Sequence, residues 1–299
     1  RQVQQYPQKD ALMGRDAASQ WKGITWETLG NTTTLLSKAL LSLGVQPQET
    51  VGILSQNTPQ WSLADLACLQ IRAITVPIYT TNTAEQALYV MNHAEVKVIF
   101  VGDEKQYQKV LQVANQCPSL QMIIVCDNEV ALTEKQYSIH WNDFLALGSS
   151  SQYDVEFEKR LKERNLDDLF TIIYTSGTTG EPKGVMLSYE NLAFQMIGHT
   201  ERLSTVDNTD ISLAFLPLSH VFERAWTFFC LYKAVTVYYL DDTNLVREAL
   251  AQVRPTLMCA VPRFYEKIFA TVHDKADTSS FVKRKLFRLA IATGKRVLA

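Results

Sequence analysis

The chain has 299 residues, 46% of them hydrophobic, which is enough apolar material for one large core or two smaller ones. Its formal net charge is −2, so there is no chain-wide basic field to hold nucleic acid, and no nucleic-acid partner is expected. Five cysteines (Cys68, Cys117, Cys126, Cys230, Cys259) stand apart without a Cys-x-x-Cys pair, mostly in apolar runs. Buried reduced thiols and a cytoplasmic setting follow, rather than disulfides or a metal site.

In chain order, the polar start from Arg1 to Asp10 does not read as a secretory signal. Trp26 to Leu43 carries apolar residues at helical spacing (Leu29, Leu36, Ala39, Leu40, Leu43) and is closed by Gly44. Strands are expected at 50–55, 73–78, 97–101 and 121–125, separated by helices at 60–72, 84–93 and 105–115. Apolar strands thus recur about every 23 residues, the rhythm of βαβ units around a parallel sheet covered on its faces. Pro77 predicts a strand edge or end. From Asp127 to Asp168 the pattern weakens and charge rises, which predicts a solvated helix and a surface connection.

Leu169 to Tyr174 is apolar and β-branched and reads as a buried strand. Val185 to Ser188 reads as a second, with a helix from Tyr189 to Leu203 capped by Ser188. Further strands are expected at 211–215, 234–240 and 256–261, with helices at 221–232, 245–253, 263–275 and 281–298. The apolar region 214–240 is interrupted by His220, Glu223, Arg224 and Lys233 and is not a membrane span.

The most specific stretch is Tyr174-Thr-Ser-Gly-Thr-Thr-Gly-Glu-Pro-Lys-Gly184. Gly177, Gly180 and Gly184 permit positive φ and let backbone N–H groups converge on one anion. Thr175, Ser176, Thr178 and Thr179 add hydroxyls, and Lys183 adds a mobile positive charge. A Walker-type loop needs Gly-Lys-Ser/Thr opening straight into a helix; here Pro182 precedes Lys183 and Gly184 follows it, so that template fails. A plain solvated hairpin is the alternative reading. The density of small and hydroxyl residues favours a polyphosphate cradle.

Residues 174–188 resemble throughout the signature loop of the AMP-forming, adenylate-making acyl-CoA synthetases. The resemblance implies an α/β fold of two mainly parallel sheets with flanking helices, part of a large N-terminal AMP-binding domain. It implies one sub-lobe at 46–204 and another at 1–45 plus 205–299. It also implies ATP phosphate binding by Thr175, Ser176, Gly177, Thr178, Thr179, Gly180, Lys183 and Gly184, with Thr175 as the candidate Mg2+ ligand.

Leu216-Pro-Leu-Ser-His220 resembles the family's next characteristic stretch, which makes His220 the candidate catalytic residue, facing adenylate and carboxylate. On the residues alone, a histidine that caps the helix or satisfies a core hydrogen bond is the favoured reading, and the resemblance reverses it. The extension His-Val-Phe-Glu-Arg224, and Val261-Pro-Arg-Phe-Tyr-Glu-Lys267 further on, resemble the long-chain fatty acyl branch. Val221, Phe222 and Trp226 are candidates for an acyl channel, although aromatics at helical spacing also suit a core. Glu223 and Arg224 are expected to pair with each other and order the turn.

The expected activity is ATP-dependent formation of an acyl-AMP from a long-chain fatty acid, then transfer to coenzyme A. Acyl carrier protein as acceptor, or release of the adenylate, are the variants within the family. A γ-phosphate-transferring kinase or ATPase, and a non-catalytic nucleotide-binding protein, are readings from other classes. Peripheral membrane contact would suit a fatty substrate but is expected without a mark for it in the sequence. The family's aromatic-Gly-x-Thr-Glu and Thr-Gly-Asp motifs and its C-terminal lysine are not in the chain. The expectation is therefore an N-terminal fragment, inactive by itself.

Overall fold

The structure, a computed structural model, describes residues 1–175 and 180–298. The chain divides into two units, Arg1–Met258 and Cys259–Ala299. In chain order the first unit holds α1 (Gln2–Gln5), β1 (Asp10–Arg15), β2 (Trp21–Thr25), α2 (Trp26–Ser42), β3 (Thr50–Leu54), α3 (Pro59–Gln70) and β4 (Ile74–Pro77). There follow α4 (Ala84–His93), β5 (Val98–Val101), α5 (Glu104–Leu111), β6 (Met122–Val125), β7 (Ser138–His140), α6 (Trp141–Leu147) and α7 (Asp154–Lys162). The unit ends with β8 (Leu169–Thr175), β9 (Lys183–Ser188), α8 (Tyr189–Arg202), β10 (Ile211–Ala214), α9 (Val221–Tyr232), β11 (Thr236–Tyr239) and α10 (Val246–Val253). The second unit is a helix pair, α11 (Pro262–Asp277) and α12 (Phe281–Leu298).

The strands form two mainly parallel sheets, as the βαβ rhythm requires. One has the order β7-β6-β5-β3-β4-β8-β9 and is parallel except for β9. The other has the order β10-β11-β1-β2, with β2 antiparallel. In the larger sheet the chain passes from β3 to β4 on one side and then to β5 on the other. Sheets with such a reversal hold ligands beyond the C-terminal ends of their strands.

Helix starts follow local chemistry. Thr25 caps α2, Thr58 caps α3 ahead of Pro59, and Thr83 with Gln86 forms a capping box on α4. Gly44 adopts φ +75 behind α2, a conformation that favours glycine. Strands β3 to β6 of the larger sheet are buried on both faces. Val90, Tyr107 and Val110 of α4 and α5 pack on one side. Leu36, Leu40, Trp61 and Ala64 of α2 and α3 pack on the other, in a core that continues to Leu12, Val237 and Tyr239 of the smaller sheet.

The elements depart from the sequence reading in three places. The β1–β2 hairpin was not expected, because Asp10–Thr25 is short and polar in parts. Residues 256–261 form no strand: only Leu257 makes a bridge, to Ser212. The charged stretch after Asp127 is more than a solvated connection, since β7 and α6 bury Trp141 and Phe144, and α7 buries Phe157 and Arg160. The Arg160 guanidinium bonds the Ile71 carbonyl and the Glu156 carboxylate, which is why a charged side chain is accepted there.

Glu223 and Arg224 do not pair. Arg224, 2% exposed, makes a fork to Asp65 of α3, Nε to Oδ2 at 2.8 Å and Nη2 to Oδ1 at 2.6 Å. Its Nη1 donates to Thr171 Oγ1 of β8 at 2.6 Å, and that hydroxyl donates to the Thr75 carbonyl of β4. The rings of Trp61, Phe170 and Phe228 lie 5.2–5.6 Å from the guanidinium carbon. One side chain of α9 therefore fixes α3 and two strands of the larger sheet. Truncation of its partner would strand a cation away from water. Asp65→Ala is expected to cost about 3–5 kcal/mol of unfolding free energy in urea titration, and a loss below about 1 kcal/mol would contradict this account.

Candidate active site

Strands β8 and β9 form an antiparallel hairpin, with Thr175 opposite Lys183, Tyr174 opposite Gly184 and Ile173 opposite Val185. The loop is therefore held at its base by a ladder, and Ser176, Gly177, Thr178 and Thr179 lie outside the described residues. Gly180 has φ +102, a conformation that L side chains rarely adopt. Thr175 and Lys183 are exposed at the open end of the ladder, and Lys183 opens β9 rather than a helix. The stretch after the loop is a strand, in keeping with the failed Walker template. Behind it, Ser188 and Asn191 cap α8 reciprocally.

The hairpin is braced from both faces of the sheet. Thr171 and Thr175 lie on one face of β8, and Thr171 carries the bond from Arg224. On the other face Tyr174 donates to, or accepts from, His93 Nδ1 at 2.7 Å. Tyr89 stacks on His93 and donates to the Pro182 carbonyl in the loop itself, at 3.1 Å. Burial, reinforced by Tyr89, pushes the Tyr174 phenol up to about 12, so it stays protonated at neutral pH. Gly184 is required by contact: a Cβ there would lie 2.8 Å from Ile172 Cγ2 and 3.2 Å from the Tyr174 ring.

The second wall is the turn from β10 into α9. Asn57, buried after β3, grips it three ways. Its Nδ2 donates to the carbonyls of Ala214 (3.3 Å) and Leu216 (2.8 Å), and its Oδ1 accepts from Leu218 N (3.0 Å). Glu223 Oε2 accepts from Leu216 N at 3.2 Å. His220 is the N-cap of α9, and its Nδ1 accepts from Phe222 N at 3.1 Å. Because an N–H occupies Nδ1, the ring proton sits on Nε2 and is presented outward from an exposed side chain. The capping and site-facing readings of His220 are thus compatible.

Of the candidate acyl-channel residues, Val221 and Phe222 are 43% and 46% exposed. Trp226 turns into the packing instead, donating from Nε1 to Ser212 Oγ at 3.0 Å and lying 5.8 Å from the Phe229 ring. Cavities of about 510 and 290 Å3 open beside Val130–Asp143 and between Gln48 and Gln121, but neither includes the hairpin or the His220 turn. The described site is an open face. Among the described residues no group of three His, Cys, Asp or Glu could cage a metal ion. All five cysteines are buried.

Asn57, Asp65, Tyr89 and His93 were missed in the sequence. Their hydrogen-bond partners in the site lie far along the chain, and the only usable signal was a charged or amide side chain inside an otherwise apolar stretch (Asn57, Asp65).

The strand-ended glycine hairpin is carried on the larger sheet and the histidine turn on the smaller one. The AMP-binding enzyme model matches residues 1–295, and the chain belongs to that family. Among curated relatives, long chain acyl-CoA synthetase 3 of Arabidopsis thaliana is 31% identical over 294 residues, covering 94% of this chain and 43% of that protein. The long-chain-fatty-acid–CoA ligase ACSBG2 of Xenopus laevis is 33% identical, covering 98% of this chain and 40% of its own length. The chain thus spans less than half the length of these relatives.

Two solved structures share the fold. An anthranilate CoA ligase in complex with anthranoyl-AMP superposes with a TM-score of 0.73 at 19% identity, covering 86% of this chain and 47% of that one. A benzoate CoA ligase of Burkholderia xenovorans gives 0.68 at 18%, covering 88% and 49%.

Glu223 provides a test of the turn. It is wholly buried, and its Oε1 has no hydrogen-bond partner among the described residues. Burial pushes the carboxyl from 4.5 up to about 8, opposed by the Leu216 N–H. Between those values the folded chain keeps a proton that the unfolded chain has lost. The group's contribution to stability is therefore complete below the unfolded value and declines as pH rises towards the folded one, by at most about 1.4 kcal/mol per pH unit. Glu223→Gln is expected to abolish that decline, so the variant gains on the wild type in chemical denaturation series run upward from about pH 5. Parallel stability curves would contradict the assignment.

Proposed function

We propose that this protein activates a long-chain fatty acid with ATP and passes the acyl group to coenzyme A. A carboxylate oxygen attacks the α-phosphorus, the bond to the β-bridging oxygen breaks, and pyrophosphate leaves. The thiol of coenzyme A then attacks the acyl carbonyl and AMP departs. The observation that carries the reading is the braced β8–β9 hairpin, with Lys183 and Gly180 at its open end, tied through Arg224 to the helix that His220 caps. The names of the curated relatives, long-chain acyl-CoA synthetases and ligases, support the substrate class.

In this reading Lys183 and the loop hydroxyls hold the β- and γ-phosphates, opposing the negative charge that gathers as the carboxylate approaches. His220 donates from Nε2–H to the reacting oxygens. No general base is needed, since a carboxylate is ionised at neutral pH. Mg2+ would arrive on the ATP phosphates and supply charge neutralisation. The exposed Thr175 hydroxyl suits an ion that keeps most of its own waters and phosphate oxygens. Acyl carrier protein is the alternative acceptor, and Val221 and Phe222 are the exposed apolar groups nearest in sequence to the proposed carboxylate site.

The full-length protein is expected to exchange labelled pyrophosphate into ATP only when a long-chain fatty acid is present. Lys183→Ala should lower that exchange by roughly 10²–10³-fold, the range for removing one electrostatic stabiliser. Release of ADP without AMP, or turnover independent of any fatty acid, would sink the proposal.

A further inference from the structure

The chain's charge is unevenly divided. Residues 1–258 hold 20 Lys and Arg against 28 Asp and Glu, a net charge of −8, whereas residues 259–299 hold 9 against 3, a net charge of +6. Helix α12 alone carries Lys283, Arg284, Lys285, Arg288, Lys295 and Arg296 and no acidic residue. At the helical period of 3.6 residues, five of these six fall in one arc of about 120°, Lys283 being the exception.

Large apolar side chains stay exposed beside that arc. On α12 they are Val282, Leu286 and Leu289, at i, i+4 and i+7 and each more than 60% exposed. On α11 they are Tyr265, Ile268, Phe269 and Val272, at i, i+3, i+4 and i+7. The two helices meet through Phe269, His273 and Phe287, with ring centroids 4.0 and 5.2 Å apart, and Arg288 is 3.3 Å from Asp277. Packing between the helices therefore leaves the two stripes uncovered within this unit. No helix among the described residues is long and apolar enough to cross a membrane.

We infer that the α11–α12 pair is a docking surface for the headgroup region of an anionic lipid bilayer. Apolar stripes would enter the acyl boundary, while the lysines and arginines meet phosphate and carboxylate headgroups. Nucleic acid would use the charge but leave Leu286, Leu289 and Phe269 in water. A second copy of this unit would bring its own +6 to the same face and be repelled. The long stem of Lys283 can carry its ammonium out of the apolar arc.

The test is flotation of the full chain with vesicles of phosphatidylcholine alone and with about 30% phosphatidylserine added, at low and high salt. Binding is expected only with the anionic lipid and should be released by salt. Exchange of Lys285, Lys295 and Arg296 to Glu should weaken it at least tenfold, given about fivefold per basic residue near the surface. Leu286→Ser with Leu289→Ser should also weaken it, and since both side chains are exposed this variant is expected to keep the wild-type melting curve. Hydrogen exchange of the lipid-free chain supplies a second readout, with fast exchange expected in the exposed turns of α12.

Equal flotation with neutral and anionic vesicles, or none with either, would overturn the inference. So would core-like exchange protection across 282–289 without lipid, because another part of the protein would then occupy the face. Self-association that both variants abolish would do the same in favour of a second copy.

Discussion

The buried fork between Arg224 and Asp65 is the interaction on which the site depends. It takes a guanidinium and a carboxylate, each about 2% exposed, out of water, which is costly unless every donor and acceptor is matched. Here the match extends beyond the pair: Arg224 reaches Thr171, and Thr171 reaches the Thr75 carbonyl. The aromatic rings around the guanidinium fill the remaining directions. A well-packed apolar substitute could equal its contribution to stability. What an apolar contact would not supply is direction, since the fork sets both the rotation of α9 and its height against β8.

That constraint explains how two separate pieces of chain make one site. His220 stands at the first turn of α9 and Thr175 at the end of β8, and Arg224 belongs to the first helix and bonds the second element four residues before Thr175. Asn57 then fixes the turn before His220 from the β3 side, and Glu223 fixes it from within α9. On the far face of the sheet the Tyr89–His93–Tyr174 cluster supports the loop, through the bond from Tyr89 to the Pro182 carbonyl and the close packing of Tyr174 under Gly184. Local sequence supplies the glycines and hydroxyls of the hairpin, and distant sequence supplies the side chains that brace it.

The division between what was legible and what was not follows the same line. Strands β3 to β6 and the helices between them are written in local hydrophobic period, as are α9, α11 and α12. The β8–β9 hairpin is written in glycines whose need is local: Gly180 for its backbone angle and Gly184 for its contact with Ile172 and Tyr174. Arg224 and Asp65 lie 159 residues apart, so their match cannot be read from spacing, and the neighbouring Glu223 looked like the natural partner. In the folded helix, Glu223 is instead held under its own turn. The apolar run at 256–261 failed as a strand because only Leu257 finds a partner, and hydrophobicity alone does not supply a ladder. The β1–β2 hairpin failed in the opposite sense: β2 is paired but largely exposed, so its sequence lacks the alternation that marks a half-buried strand.

The central claim is that the buried fork positions the two walls together. Hydrogen exchange on the double variant Asp65→Leu/Arg224→Met tests it most directly, because a volume-matched apolar pair leaves no orphaned charge. The account predicts global stability within about 2 kcal/mol of wild type, with protection of Ile172–Tyr174 and of Leu216–His220 falling together by at least tenfold, a local loss of about 1.4 kcal/mol. Wild-type protection in both segments, or loss in only one of them, would contradict it.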